Sequence, residues 1–181
     1  MKRRNGPWII TGSTPKYTNP WINVTEDEVV RPDGKKGIFG KVIMKNGVSI
    51  LPLDDQGNVY LTQEFRYALK EQSIEVVSGG IDDGETPLIA AKRELKEELG
   101  IEAKEWVDLG VLNPFTSVIH SPAQLFLARS LQFSKTNREG TEVITVIKIP
   151  FQEAVDMVMK SRITHGQSSV LILKAKEYLG Y

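Results

Sequence analysis

Residues 79–101, GGIDDGETPLIAAKRELKEELGI, constrain this chain more than any other stretch. They read as a tight loop running straight into a helix. Thr86 suits the N-cap, and Pro87 suits the first helical position, where a missing N–H costs nothing. Gly100 can take the left-handed conformation that ends a helix. Leu88, Ala91, Leu95 and Leu99 recur at helical spacing and predict a buried stripe. Glu94, Glu97 and Glu98 share a different face, where their carboxylates repel one another. A hard divalent cation, Mg²⁺ or Mn²⁺, would remove that repulsion because it prefers oxygen ligands. Arg93 lies beside the acidic face and can hold a carboxylate through a charge-assisted hydrogen bond. Gly79, Gly80 and Gly84 let the loop bring backbone oxygens towards the same place. Taken alone, three glutamates on a helix favour a solvated Glu/Lys surface; the order of the whole stretch does not.

The rest of the chain bounds the possibilities. Its 181 residues suit one sizeable core, with 40% hydrophobic and 25% charged residues, as in ordinary globular proteins. Formal net charge is zero, which argues against a general nucleic-acid binder. Cysteine is absent, so no disulfide framework and no thiol chemistry are available. No apolar run reaches the length of a membrane span, and no signal core follows Lys2, Arg3 and Arg4. No membrane partner is therefore expected, and the cytoplasm is the expected location.

Short strands are predicted around Trp8–Ile10 and residues 21–24, separated by a turn-rich stretch at residues 12–20. Arg31, Pro32, Asp33 and Gly34 read as a hairpin turn, and residues 37–44, 48–53 and 59–67 as further strands. After the helix come strands at 105–113, 123–131 and 142–149, then helices over 151–161 and 167–178, the latter offering Val170, Leu171, Leu173, Ala175 and Leu179 for packing. This pattern predicts an α+β fold, an α/β/α sandwich with a mixed sheet, preceded by N-terminal antiparallel strands. The expected division is residues 1–45, the N-terminal strands, and residues 46–181, the main domain.

The spacing in the opening stretch is Gly79, five residues, Glu85, seven residues, then Arg93-Glu94-Leu95-Lys96-Glu97-Glu98-Leu99-Gly100-Ile101. It resembles the Nudix box at every defining position. Gln63-Glu64-Phe65-Arg66-Tyr67, followed by Glu75-Val76-Val77-Ser78-Gly79-Gly80, resembles the ADP-ribose and ADP-sugar pyrophosphatase branch of that family. So does Ile163-Thr164-His165-Gly166 before the last helix. The resemblance implies metal-dependent hydrolysis of the pyrophosphate bond of a nucleoside diphosphate sugar, with ADP-ribose giving AMP and ribose 5-phosphate. The alternatives are another Nudix substrate, such as GDP-mannose or NADH, or a nucleotide sensor that does not cut. It also implies a homodimer formed through the N-terminal strands, with two protomers building each adenosine site.

By that resemblance, Glu94 and Glu98 are metal ligands, Glu97 is a ligand or a base, and the Ser78 carbonyl joins them. Arg66 would bind substrate phosphates, for which its planar fork is suited. Glu75 would be a metal or substrate ligand. Trp21 and Phe39 fall where the branch places the rings that sandwich adenine. Read from the residues alone, Arg66 is equally a surface arginine at a strand end, Phe39 is first of all a core aromatic, and Trp21 is equally core or platform. Arg93 would orient Glu85 and the helix glutamates. The general base is expected on a loop well after the box, at Glu142, with Glu139 in reserve. Three departures stand out. Val77 and Ser78 replace the usual proline and alanine, and the loop over residues 113–122 carries no acid. Phe115 and His120 in that loop are candidate specificity residues.

Overall fold

The structure is a computed structural model that describes residues 2–134 and 143–181. The chain forms two compact units, Met1–Asn46 with Asn113–Ser121, and Gly47–Leu112 with Pro122–Tyr181.

The first unit is a single sheet. Strands β1 (Arg3–Asn5), β2 (Trp8–Thr18), β3 (Ile22–Val30) and β4 (Lys36–Met44) run antiparallel, and β10 (Ile119–His120) joins β4 in parallel. The predicted turn links β3 to β4: Gly34, at φ 81°, donates its N–H to Arg31 O at 2.9 Å. The prediction of turns over residues 12–20 is corrected here, because β2 runs unbroken to Thr18. Its register against β3 shifts between Ile10 and Gly12 and again between Pro15 and Tyr17. These irregularities absorb the glycine and the proline that otherwise signal a turn.

In the second unit, one sheet has the order β8-β5-β11-β9 and another the order β12-β6-β7. The first sheet comprises β5 (Gly47–Pro52), β8 (Val77–Gly80), β9 (Ile101–Leu112) and β11 (Ala123–Phe133). The second comprises β6 (Asn58–Arg66), β7 (Glu71–Glu75) and β12 (Thr145–Pro150). Helices α1 (Pro87–Leu99), α2 (Phe151–Met159) and α3 (Gly166–Leu179) complete the unit. Strand alternation divides the core. Val48, Ile50, Phe126 and Ala128 pack with Ala90, Ala91, Leu95 and Leu99 of α1. Leu51, Leu53, Leu125 and Leu127 pack with Phe151, Leu171, Ile172 and Ala175 of α2 and α3. The mixed sheet is thus covered by helix on both faces, as expected of an α/β/α sandwich; β5 pairs with β11 in parallel and with β8 antiparallel. On α3 the buried residue is Ile172 rather than Leu173, which is 38% exposed. Among the described residues, no helix is long and apolar enough to cross a membrane.

Asp54 pins the turn between β5 and β6. Its Oδ1 accepts the N–H of Gln56 at 3.0 Å and of Asn58 at 2.8 Å, and its Oδ2 accepts Tyr60 Oη at 3.0 Å and Lys148 Nζ at 2.9 Å. Burial pushes this carboxyl up, but the Asn58, Lys148 and Tyr60 donors outweigh it and hold it well below the usual carboxylate range. A depressed folded-state pKa stabilises above the unfolded value of about 3.9 and loses that contribution as pH falls. Asp54→Asn should lower stability at pH 7 by about 1–3 kcal/mol and flatten its decline below about pH 4. Urea midpoints measured from pH 3 to 7 check this; parallel curves for the two proteins would remove Asp54 from the acid transition.

Candidate active site

Helix α1 is built as its sequence dictates. Thr86 Oγ1 accepts the Ile89 N–H at 3.3 Å, Pro87 opens the helix, and Gly100 closes it at φ 64°, donating to Lys96 O at 2.9 Å. Leu88 departs from the predicted stripe and remains 36% exposed. The close approach to the sheet falls a turn later, where the small side chains of Ala90 and Ala91 are fully buried.

Arg93 gathers the acidic face. Its Nε and Nη2 donate to the two oxygens of Glu85, each at 2.9 Å. Nη1 donates to Glu94 Oε1 at 2.7 Å and Glu97 Oε2 at 3.2 Å, and Nη2 also reaches the Gly80 carbonyl at 2.9 Å. The Glu85 bonds raise the Arg93 pKa beyond its already high value, with Glu94 and Glu97 adding to them, so the guanidinium is permanently charged. Glu85 Oε2 also accepts the Asp82 N–H at 3.0 Å, which ties the loop to the helix. Gly79 lies on β8, and a Cβ there would fall inside the Glu94 carboxylate. The missing side chain is therefore what lets the Glu94 carboxylate lie against the strand.

A second cluster surrounds Glu75, only 2% exposed at the end of β7. Arg66, from the end of β6, donates Nε to Oε1 at 2.9 Å and Nη2 to Oε2 at 2.5 Å. Glu64 lies 2.8 Å from the same Nη2. His165 Nδ1 is 3.3 Å from Glu75 Oε2 and 2.8 Å from Ser168 Oγ. Burial alone would raise the Glu75 pKa; the bonds from Arg66 and the His165 and Ser73 contacts outweigh it and keep the carboxylate charged. Burial pushes the His165 pKa down, against the pull of Glu75. The Glu75 bond raises the Arg66 pKa, and the charges of Glu64 and Glu98 add to it. Glu98 is 7% exposed on α1, so its field links the helix glutamates to the Arg66 cluster. Ser78, on β8, lies beside Ser49 with 3.2 Å between their hydroxyl oxygens, and Ser49 donates to Gln167 Oε1 at 2.7 Å.

The second unit therefore carries Arg66, Glu75, Ser78, Arg93, Glu94, Glu97 and Glu98, on β6, β7, β8 and α1. Trp21 and Phe39 belong to the first unit, 71% and 37% exposed, with Phe39 edge-on to Trp8 at 5.7 Å. Phe39 pairs with Asp27, while Ile22, beside Trp21, pairs with Met44. The backbone positions of Trp21 and Phe39 therefore lie roughly 20 Å apart along the strand direction. Phe115 and His120 are exposed in the first unit. Glu139 and Glu142 lie outside the described residues.

The donor set suits a hard dication. Glu94, Glu97, Glu98 and the loop carbonyls offer oxygen only, and Arg93 provides one positive charge against the four carboxylates of Glu85, Glu94, Glu97 and Glu98. Among the described residues, no three acidic or histidine side chains already converge on one point. Arg93 holds Glu94 and Glu97 instead.

Sequence reasoning noted residues 163–166 but gave His165 no role. The only signal was a histidine immediately before a helix, and its contact with Glu75 depends on tertiary packing.

An arginine-gathered glutamate helix on one face of the mixed sheet is the defining feature of this site, and comparison with known proteins identifies the family. The family model described as NUDIX domain matches residues 44–169, and that described as nucleoside diphosphate sugar hydrolase N-terminal domain matches residues 8–42. The chain belongs to the Nudix family of hydrolases. It is similar to an ADP-ribose pyrophosphatase of Bacillus subtilis, 26% identical and covering 90% of each chain. It is also similar to an ADP-ribose pyrophosphatase of Mycobacterium tuberculosis, 27% identical over 83% of this chain and 74% of the relative. A crystal structure of an ADP compounds hydrolase superposes with TM-score 0.83 at 19% identity, covering 94% of this chain and 93% of that one.

Proposed function

We propose that this protein is a metal-dependent diphosphatase of nucleoside diphosphate sugars, with ADP-ribose as its leading substrate and AMP and ribose 5-phosphate as products. The observation that carries this is the Arg66–Glu75 pair, a bidentate-held guanidinium 39% exposed on its side chain and close enough to feel the charge of Glu98. An arginine so fixed is preorganised to bind phosphate oxygens beside the helix glutamates.

Glu94 and Glu98 would hold Mg²⁺ or Mn²⁺, with Glu97 and the Ser78 carbonyl completing the set. When bound, the ion supplies positive charge to the phosphate oxygens and lowers the pKa of water. Arg93 holds Glu85, Glu94 and Glu97 in place through four hydrogen bonds, and a fifth ties it to the Gly80 carbonyl. Glu75 acts through Arg66, whose fork it occupies on one side. Glu142, with Glu139 in reserve, is the proposed base that takes a proton from the attacking water. Water adds to one phosphorus as the bridging P–O bond breaks, and the leaving phosphate takes the proton. Trp21 and Phe39 are the proposed adenine platform. The distance between their backbone positions within one chain supports a sandwich drawn from two copies, and with it a homodimer assembled through residues 1–45.

A phosphate-release screen in Mg²⁺ tests this, with ADP-ribose, ADP-glucose, GDP-mannose, NADH and diadenosine polyphosphates as substrates and a phosphatase as coupling enzyme. ADP-ribose or ADP-glucose should lead. If GDP-mannose or a dinucleotide leads instead, the assignments of Trp21, Phe39 and Arg66 fall while the box stands; binding without cleavage would identify a sensor.

A further inference from the structure

We infer that His165 is a positioning residue for Arg66, acting through Glu75 and anchored by the first turn of α3. The inference rests on the reading of Arg66 as the phosphate-binding arginine.

His165 occupies the N-cap position of α3, yet its side chain makes no capping bond to that helix. Nδ1 instead lies 2.8 Å from Ser168 Oγ and 3.3 Å from Glu75 Oε2. With its proton on Nδ1 the ring donates to Ser168 Oγ and turns its positive edge to the Glu75 carboxylate, whereas a bare Nδ1 would set a lone pair against that oxygen. Ser168 is completely buried and already accepts the Val76 N–H at 2.9 Å, so its oxygen is fixed by the backbone that follows Glu75. Leu171, Ile172 and Ala175 hold the same helix in the core, each 0% exposed. One residue further on from His165 and Gly166, Gln167 accepts the Ser49 hydroxyl beside Ser78. The first turn of α3 is therefore bonded to Val76, next to Glu75, and to Ser49, whose hydroxyl lies beside that of Ser78.

This arrangement matters because an arginine at a strand end has many rotamers, and ordering it on binding weakens affinity. Glu75 can hold Arg66 in one orientation only if Glu75 is itself held. His165 supplies that hold from outside the sheet, so its loss should affect substrate binding more than the chemical step.

The test is a double-mutant cycle of His165→Leu and Arg66→Ala, with His165→Asn as the conservative variant. Two readouts are needed: KM and kcat for ADP-ribose in Mg²⁺, and calorimetric binding of ADP-ribose and of inorganic pyrophosphate in EDTA. His165→Leu should raise KM and weaken metal-free binding about tenfold, the scale of outer-layer positioning partners, with kcat changed by less than about threefold. His165→Asn should restore most of the affinity, because its amide can replace the Nδ1–H donor. In the Arg66→Ala background, His165→Leu should add nothing. If His165→Leu fails to fold, Ser168→Ala carries the test and should shift KM in the same direction. Unchanged KM and binding, or an undiminished His165 effect without Arg66, would overturn the inference. If Arg66→Ala itself binds both ligands like wild type, the phosphate role of Arg66 fails and takes this inference with it. If only the His165 variants are silent, the function stands and the positioning role falls.

Discussion

Glu98→Gln should lower kcat/KM for ADP-ribose by about 10²–10³-fold, the scale of losing one preorganised electrostatic group. The amide preserves the shape of a side chain that is 7% exposed, so packing against the sheet is kept and the negative charge is removed. That charge helps to raise the Arg66 pKa, and Glu98 lies four residues from Glu94 on the helix. Activity titrated with Mg²⁺ should therefore show weakened metal affinity together with the fall in rate. Melting in EDTA, measured alongside, separates a loss of stability from a loss of metal binding. Full activity at wild-type metal affinity would take Glu98 out of the metal set. Glu142→Gln supplies the contrast: a proton acceptor for water should slow turnover while leaving metal affinity nearly intact, and an unchanged rate would remove Glu142 from the mechanism.

What could be read from the sequence depended on how local its cause was. The ends of α1 follow from Thr86, Pro87 and Gly100, whose capping needs no distant partner. The sandwich followed from the order of strands and helices along the chain, and the two faces of β5 and β11 then pack against α1 on one side and α2 and α3 on the other. Residues 12–20 misled because Gly12 and Pro15 are turn formers locally, whereas a bulged pairing with β3 accommodates both. Leu88 misled because periodicity identifies a face and not where along the helix contact is made. In the candidate site, the partnership of Arg93 with its glutamates was legible at helical spacing. The bond between Arg66 and Glu75 was not, because it crosses from β6 to β7, and His165 joins it from the far side of the chain's last loop. The roll of a buried carboxylate depends on which charge folding places beside it, and nothing in the local spacing encodes that.

Gly79→Ala should leave the fold standing and remove most of the activity. Gly79 is absent from the positive-φ glycines, so alanine meets no backbone objection there. The obstacle is the Glu94 carboxylate, which occupies the place of the new methyl group. The strand cannot yield easily, because Gly79 pairs with Val48 in the β8–β5 ladder and Val48 is 1% exposed in the core. Glu94 can yield, since the clash is with the far end of a flexible side chain. It should swing out of its place and lose its 2.7 Å bond to Arg93. Stability should fall by only about 1 kcal/mol, or roughly 2–4 °C in Tm. The loss in kcat/KM should instead approach that of Glu94→Ala, about 10²-fold or more. Coupling decides whether the clash is the cause. In a Glu94→Ala background the methyl group meets no carboxylate, so adding Gly79→Ala should cost almost nothing further. A Gly79→Ala enzyme with wild-type kcat/KM, or a double variant that shows both single losses in full, would mean that Gly79 does not serve to seat Glu94.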